Sequence, residues 1–125
     1  MAAGADGGAP PAVRVAPVAE AAVLLDAGTL YLDVRTPAEF AAGHAPGAVN
    51  VDLLGAPGPA EFVARVQAAA PAQEGDAVVV GCKSGGRSAR AAALLAAAGY
   101  AAGGELVDVG GGFDAWSAAG LPVEK

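Results

Sequence analysis

The chain has 125 residues, a formal net charge of -6, 54% hydrophobic but only 5% aromatic residues, and one cysteine. That length is one domain, and the acidic balance leaves no basic surface to neutralise phosphates, which excludes a nucleic-acid binder. No apolar run reaches the roughly 18 residues of a membrane span, and one cysteine excludes an intramolecular disulfide, a C-x-x-C redox pair and a Cys-rich metal site.

Residues 1–12 are rich in Gly, Ala and Pro and read as a disordered tail, with the folded domain expected over 13–125. The tail lacks the basic and apolar regions of a secretory signal and the Arg and Ser richness of a transit peptide. Val13-Arg14-Val15 reads as a short edge strand. Residues 17–27 place Val18, Ala22 and Leu25 at helical spacing, with Pro17 at the start and Gly28 as the stop. Residues 30–34, apolar up to Asp33, have the profile of a buried parallel strand. Thr36, Pro37 and Glu39 form a capping box with proline at the first helical position, so a short helix should run to Gly43. Residues 43–48 read as a loop, 49–51 as a short strand and 60–70 as a helix with Phe62, Val63 and Val66 on one face. After the strand over 77–81 come a Gly loop and a helix over 87–98, stopped by Gly99. Residues 106–109 are a further strand. Gly110, Gly111 and Gly112 then turn into a last helix carrying Trp116, closed by Gly120 and Pro122. Alternation of strands and helices predicts an α/β fold: three layers, α/β/α, around a mainly parallel sheet of about five strands.

The chemistry-bearing residues converge on Val78-Val79-Val80-Gly81-Cys82-Lys83-Ser84-Gly85-Gly86-Arg87-Ser88-Ala89-Arg90. A β-branched run delivers Cys82 to the carboxyl end of a buried strand, where open α/β sheets place their sites. Gly85 and Gly86 permit backbone angles closed to other residues. The loop N–H groups then form an anion-binding nest, reinforced by the positive end of the next helix. Lys83, Arg87 and Arg90 fall in this stretch of a chain with only 7 Lys+Arg. These surroundings predict a lowered thiol pKa and a nucleophilic Cys82. Asp33 and Arg35 end a strand on the same edge and read as support for the loop. His44, the only histidine, reads as a loop histidine satisfied by backbone rather than a catalytic partner. Trp116 reads as a core anchor.

Cys82-Lys83-Ser84-Gly85-Gly86-Arg87-Ser88 resembles the C-x-x-G-x-R-S active-site loop of rhodanese-like sulfurtransferases. Leu32-Asp33-Val34-Arg35-Thr36-Pro37-Ala38-Glu39-Phe40 is similar to the family's L-D-V-R-x-x-x-E-F signature. Gly43-His44-Ala45-Pro46-Gly47-Ala48-Val49-Asn50 is similar to G-H-I-P-G-A-x-N, and Gly111-Gly112-Phe113-Asp114-Ala115-Trp116 to G-G-x-x-x-W. Two departures are minor: Ala45 for a usual Ile, and Gly81 where a larger strand residue is common. Within the family the loop most resembles single-domain thiosulfate sulfurtransferases of plants and algae, several of them plastid proteins.

The resemblance implies a thiosulfate sulfurtransferase that moves a sulfane sulfur through a Cys82 persulfide. Lys83, Ser84, Gly85, Gly86, Arg87 and Ser88 would hold the persulfide and the donor, supported by Asp33 and Arg35. The expected donor is thiosulfate or another sulfane-sulfur compound. The acceptor is cyanide in the test tube and glutathione, thioredoxin or a carrier protein in the cell. No metal or organic cofactor, nucleic acid or membrane is implied. A soluble intracellular monomer is expected, in the plastid by resemblance or otherwise in the cytoplasm. The rival readings are a non-catalytic rhodanese-type binding module and a phosphatase or arsenate reductase of the related fold. The latter class uses a C-x5-R loop, whereas only four residues separate Cys82 from Arg87 here.

Overall fold

A computed structural model describes residues 9–125. Five strands form one sheet in the order β1-β5-β4-β2-β3, every neighbouring pair parallel. Along the chain these are β1 (Ala12–Ala16), β2 (Leu30–Asp33), β3 (Val49–Asn50), β4 (Ala77–Gly81) and β5 (Glu105–Val109). The helices are α1 (Val18–Asp26), α2 (Pro37–Ala42), α3 (Pro59–Ala69), α4 (Gly86–Ala97) and α5 (Gly112–Ala118). Parallel strands covered on both sides need apolar residues on both faces, and β4 shows it. Val78 and Val80 pack with Leu32, Leu106, Phe62, Val66 and Leu95 on the side of α3 and α4. Val79 packs with Tyr31, Val107, Ala21 and Trp116 on the side of α1 and α5. The expected three-layer arrangement is thereby observed.

Most of the expected tail, residues 1–8, lies outside the described residues. Its remainder is tied down. The Ala9 carbonyl accepts the Gly103 N–H, Pro11 is buried, and β1 opens at Ala12. Hydrogen-bonded backbone thus starts before position 13, because the start of β5 and its preceding turn offer partners that composition cannot reveal.

The capping box of α2 forms as expected: Glu39 N–H donates to Thr36 Oγ1 at 3.2 Å and Thr36 N–H to Glu39 Oε1 at 3.0 Å. Gly81 also gains a reason. A Cβ there would lie 2.2 Å from the Tyr31 hydroxyl, so a larger residue is excluded by the tyrosine on the neighbouring strand.

Candidate active site

The site assembles at the carboxyl edge of β2, β4 and β5. Cys82 follows β4 directly and is 2% exposed. The chain then turns through Gly85, whose φ of +129° is open to glycine and strained for other residues, into the first turn of α4. Gly86 does not share that need. It is the first residue of α4, and its φ is not positive, so only one of the two glycines expected to do so adopts a left-handed conformation.

The turn wraps the sulfur. The Gly85 N–H donates to Cys82 Sγ at 3.0 Å, and Ser88 Oγ lies 3.4 Å from it. Burial pushes the thiol pKa up. The Ser88 hydroxyl and the N–H groups of Ser88, Gly85 and Ser84 outweigh that and hold it below the ordinary thiol value. The direction is the expected one, and of the expected causes the N–H groups of the turn supply it rather than the basic side chains. Hydrogen bonds favour the thiolate, while the nearest cations are occupied by carboxylates.

Arg87 makes a bidentate pair with Glu39, Nη1 to Oε1 at 2.7 Å and Nη2 to Oε2 at 2.9 Å. Glu39 thereby closes the α2 capping box and anchors the α4 start with one carboxylate, and its pKa falls to about 2, chiefly through Arg87. Lys83 pairs with Asp114 of α5 at 2.9 Å, both side chains more than half exposed. Such a surface pair is worth little, so an arriving anion can displace it. Arg90 is exposed.

Asp33 and Arg35 form a buried bidentate pair, and Arg35 Nη2 also donates to the Gly43 carbonyl at 2.8 Å. The Arg35 guanidinium lies 4.4 Å from the Phe113 ring centroid. Phe113 and Asp114 N–H groups in turn donate to the Cys82 and Lys83 carbonyls at 2.7 and 3.0 Å. Support thus runs from β2 through α5 to the back of the Cys82 turn. A hollow of about 210 Å³ between Arg35, Glu39, Gly43, Lys83 and Phe113 opens beside it. His44 is not part of this group. Its Nδ1 meets the Phe40 carbonyl at 2.8 Å and its ring stacks on Phe40.

Two residues in the site were missed by sequence reasoning. The sequence marks Glu39 only as part of the α2 cap. Asp108, 5% exposed, shares a 2.5 Å hydrogen bond between its Oδ1 and Ser88 Oγ. Its signal was present: an acid inside an apolar strand at the carboxyl edge.

The model of the rhodanese-like domain matches residues 17–119. The chain belongs to the rhodanese-like family. Among curated rhodanese relatives, thiosulfate sulfurtransferase 16, chloroplastic, of Arabidopsis thaliana is 43% identical over 106 residues, covering 81% of this chain and 84% of that protein. Thiosulfate sulfurtransferase 18 of the same plant is 38% identical over 113 residues, covering 85% and 79%. Among solved rhodanese structures, a rhodanese-related protein of Thermoplasma volcanium superposes with a TM-score of 0.69 at 27% identity, covering 89% of this chain and 97% of that one. Among the described residues no helix of this rhodanese domain is long and apolar enough to cross a membrane.

Proposed function

We propose that the protein is a thiosulfate sulfurtransferase with Cys82 as its sulfur carrier. One observation carries the reading: a buried thiol at a strand end, held below its ordinary pKa by a turn of N–H donors and one hydroxyl. The Cys82 thiolate attacks the outer sulfur of thiosulfate. The S–S bond of the donor breaks, sulfite leaves with the electron pair, and Cys82 holds an anionic persulfide. The N–H groups that favour the thiolate then favour the persulfide sulfur, an electrostatic stabilisation arranged before the charge arrives. A thiophile attacks the terminal sulfur and releases the Cys82 thiolate.

In this reading Arg87 holds the turn against Glu39, and Lys83 draws the dianionic donor toward the hollow. The covalent persulfide is the only carrier the reaction requires, so no metal or organic cofactor enters it. A small thiol or a carrier protein serves as acceptor, and the protein acts as a monomer. The names of the two plant relatives support the donor, and the chloroplastic one supports a plastid location.

Intact mass tests the reading. Thiosulfate should add one sulfur, roughly 32 Da, removable by cyanide with formation of thiocyanate. Cys82→Ser should show neither the adduct nor turnover, and full activity in that variant sinks the mechanism. The four-residue spacing between Cys82 and Arg87 leaves room for one sulfur rather than a phosphoryl group with three equatorial oxygens. Hydrolysis of p-nitrophenyl phosphate should therefore be negligible. Cys82-dependent hydrolysis without thiocyanate would replace this reading by the phosphatase.

A further inference from the structure

Ser88 has one hydroxyl proton and three groups placed to take it. Its Oγ lies 3.4 Å from Cys82 Sγ, 2.5 Å from Asp108 Oδ1 and 3.1 Å from the Gly85 carbonyl oxygen. A hydroxyl donates only once. Ser88, Cys82 and Asp108 are 0%, 2% and 5% exposed, so bulk water cannot supply the missing donors. Among the described residues no cation pairs with Asp108. The turn's N–H groups serve the sulfur alone, so a thiolate and a carboxylate together would still compete for the one hydroxyl proton between them, and such neighbours do not ionise independently.

A single added proton resolves the conflict in two ways that use the same heavy-atom positions. With the proton on the carboxyl, Asp108 donates to Ser88 Oγ and Ser88 donates to the thiolate. With the proton on sulfur, Cys82 donates to Ser88 Oγ and Ser88 donates to the carboxylate.

We propose that Cys82 and Asp108 form one titrating unit holding a single proton across the neutral range, and that Asp108 is the positioning residue that receives the thiol proton through Ser88. In the transfer the S–H bond breaks and its electron pair stays on sulfur. That proton bonds to Ser88 Oγ as the Ser88 proton passes to Asp108 Oδ1, and nothing is oxidised. The persulfide is also an anion, so the carboxyl keeps its proton while Cys82 carries sulfur. The inference rests on Cys82 being the reacting thiol of the proposed reaction. Burial pushes the Asp108 pKa up against the Ser88 hydrogen bond, in keeping with a carboxyl that takes a proton.

The surrounding charges are otherwise engaged. On β2 and just after it, Asp33 is clamped by Arg35, and burial holds the Tyr31 hydroxyl neutral. On α4, Arg87 senses the Cys82 charge but is bound to Glu39, and Arg90 is exposed. On β1, Arg14 pairs with Glu20 and Glu105, and Lys83 pairs with Asp114 of α5.

Two titrations read the coupling without any sulfur transfer. The first follows the rate of Cys82 alkylation by iodoacetamide against pH, with no other thiol to interfere. The wild-type profile should show two steps. Asp108→Asn, nearly isosteric and uncharged, should show one, with its midpoint below the upper wild-type step by about one pH unit or more. The second follows the Asp108 carboxyl by carbon-13 NMR. Cys82→Ala should lower its midpoint by the same amount, since coupling between two sites is reciprocal. If Asp108→Asn does not fold, the wild-type profile and the carboxyl titration decide. A one-step wild-type profile, a carboxyl midpoint unmoved by Cys82→Ala, or a shift without its reciprocal overturns the proposal. Reciprocal shifts in a protein that takes no sulfur from thiosulfate would refute the sulfurtransferase reading and leave the proton pair standing.

Discussion

At the scale of single residues, Tyr31 and Gly81 form a matched pair. The tyrosine ring is buried edge-on to Trp116, with centroids 5.9 Å apart. Its hydroxyl occupies the space a Gly81 side chain would need, yet among the described residues this buried polar atom has no hydrogen-bond partner. Leaving such a group unsatisfied costs about 1–3 kcal/mol. Tyr31→Phe should therefore raise stability by about 1 kcal/mol in chemical denaturation. A loss of stability would mean that the hydroxyl is satisfied in solution. Gly81→Ala should destabilise, and Tyr31→Phe should relieve it only in part, because ring carbons also lie within 3 Å of the added Cβ.

At the scale of elements, the Cys82 turn is held from two sides. On one, α2 reaches α4 through Glu39 and Arg87. Glu39→Gln keeps a residue that can close the capping box but removes the ion pair. The Glu39 pKa is depressed from 4.5 to about 2, so the pair's stabilisation is complete above 4.5 and is lost as pH falls through about 2. The melting temperature of wild type should exceed that of Glu39→Gln by a constant margin above pH 5. The margin should shrink as pH falls from 4.5 and be mostly gone at about 2, and one that keeps its full size at pH 2 would show that the ion pair is not its source. On the other side, α5 starts at Gly112, φ +60°, where a Cβ would lie 2.6 Å from the Cys82 and Lys83 carbonyl oxygens. Gly112→Ala should cost about 1–3 kcal/mol. It should also slow thiocyanate formation at least roughly tenfold by displacing the sulfur, whereas normal turnover would show that the turn tolerates the shift.

At the scale of the whole molecule, the C-terminal segment closes the fold. Trp116 Nε1 donates to the Pro122 carbonyl at 2.8 Å, and His44 and Glu124 exchange backbone hydrogen bonds at 2.9 and 2.8 Å. This seals the face where α1 and α5 cover the sheet, and steadies the loop that Arg35 also holds. Removing residues 121–125 should lower the melting temperature by roughly 5 °C or more. The pH profile of Cys82 alkylation should stay in place, since among the described residues no hydrogen bond joins Gly85 or Ser88 to this segment. A displaced profile would extend the site to the far end of the chain.

The order of strands and helices, the α2 cap and the location of Cys82 were legible in the sequence because each follows from local pattern: apolar runs, Gly and Pro stops, and a capping box within four residues. The turn of N–H groups around Cys82 Sγ was legible for the same reason, although Gly86 needed no special conformation. What tertiary structure alone decided is which groups meet. Arg87 and Lys83 read as charges awaiting a donor, yet the first binds Glu39, 48 residues away, and the second Asp114, 31 residues away. Asp108 stands 20 residues beyond Ser88 and reaches it only because β5 lies beside β4 in the sheet. Sequence spacing carries no distance between elements that are neighbours only through the sheet order. The sequence marks Asp108 as an acid in an apolar strand, and only the assembled strands bring it to Ser88.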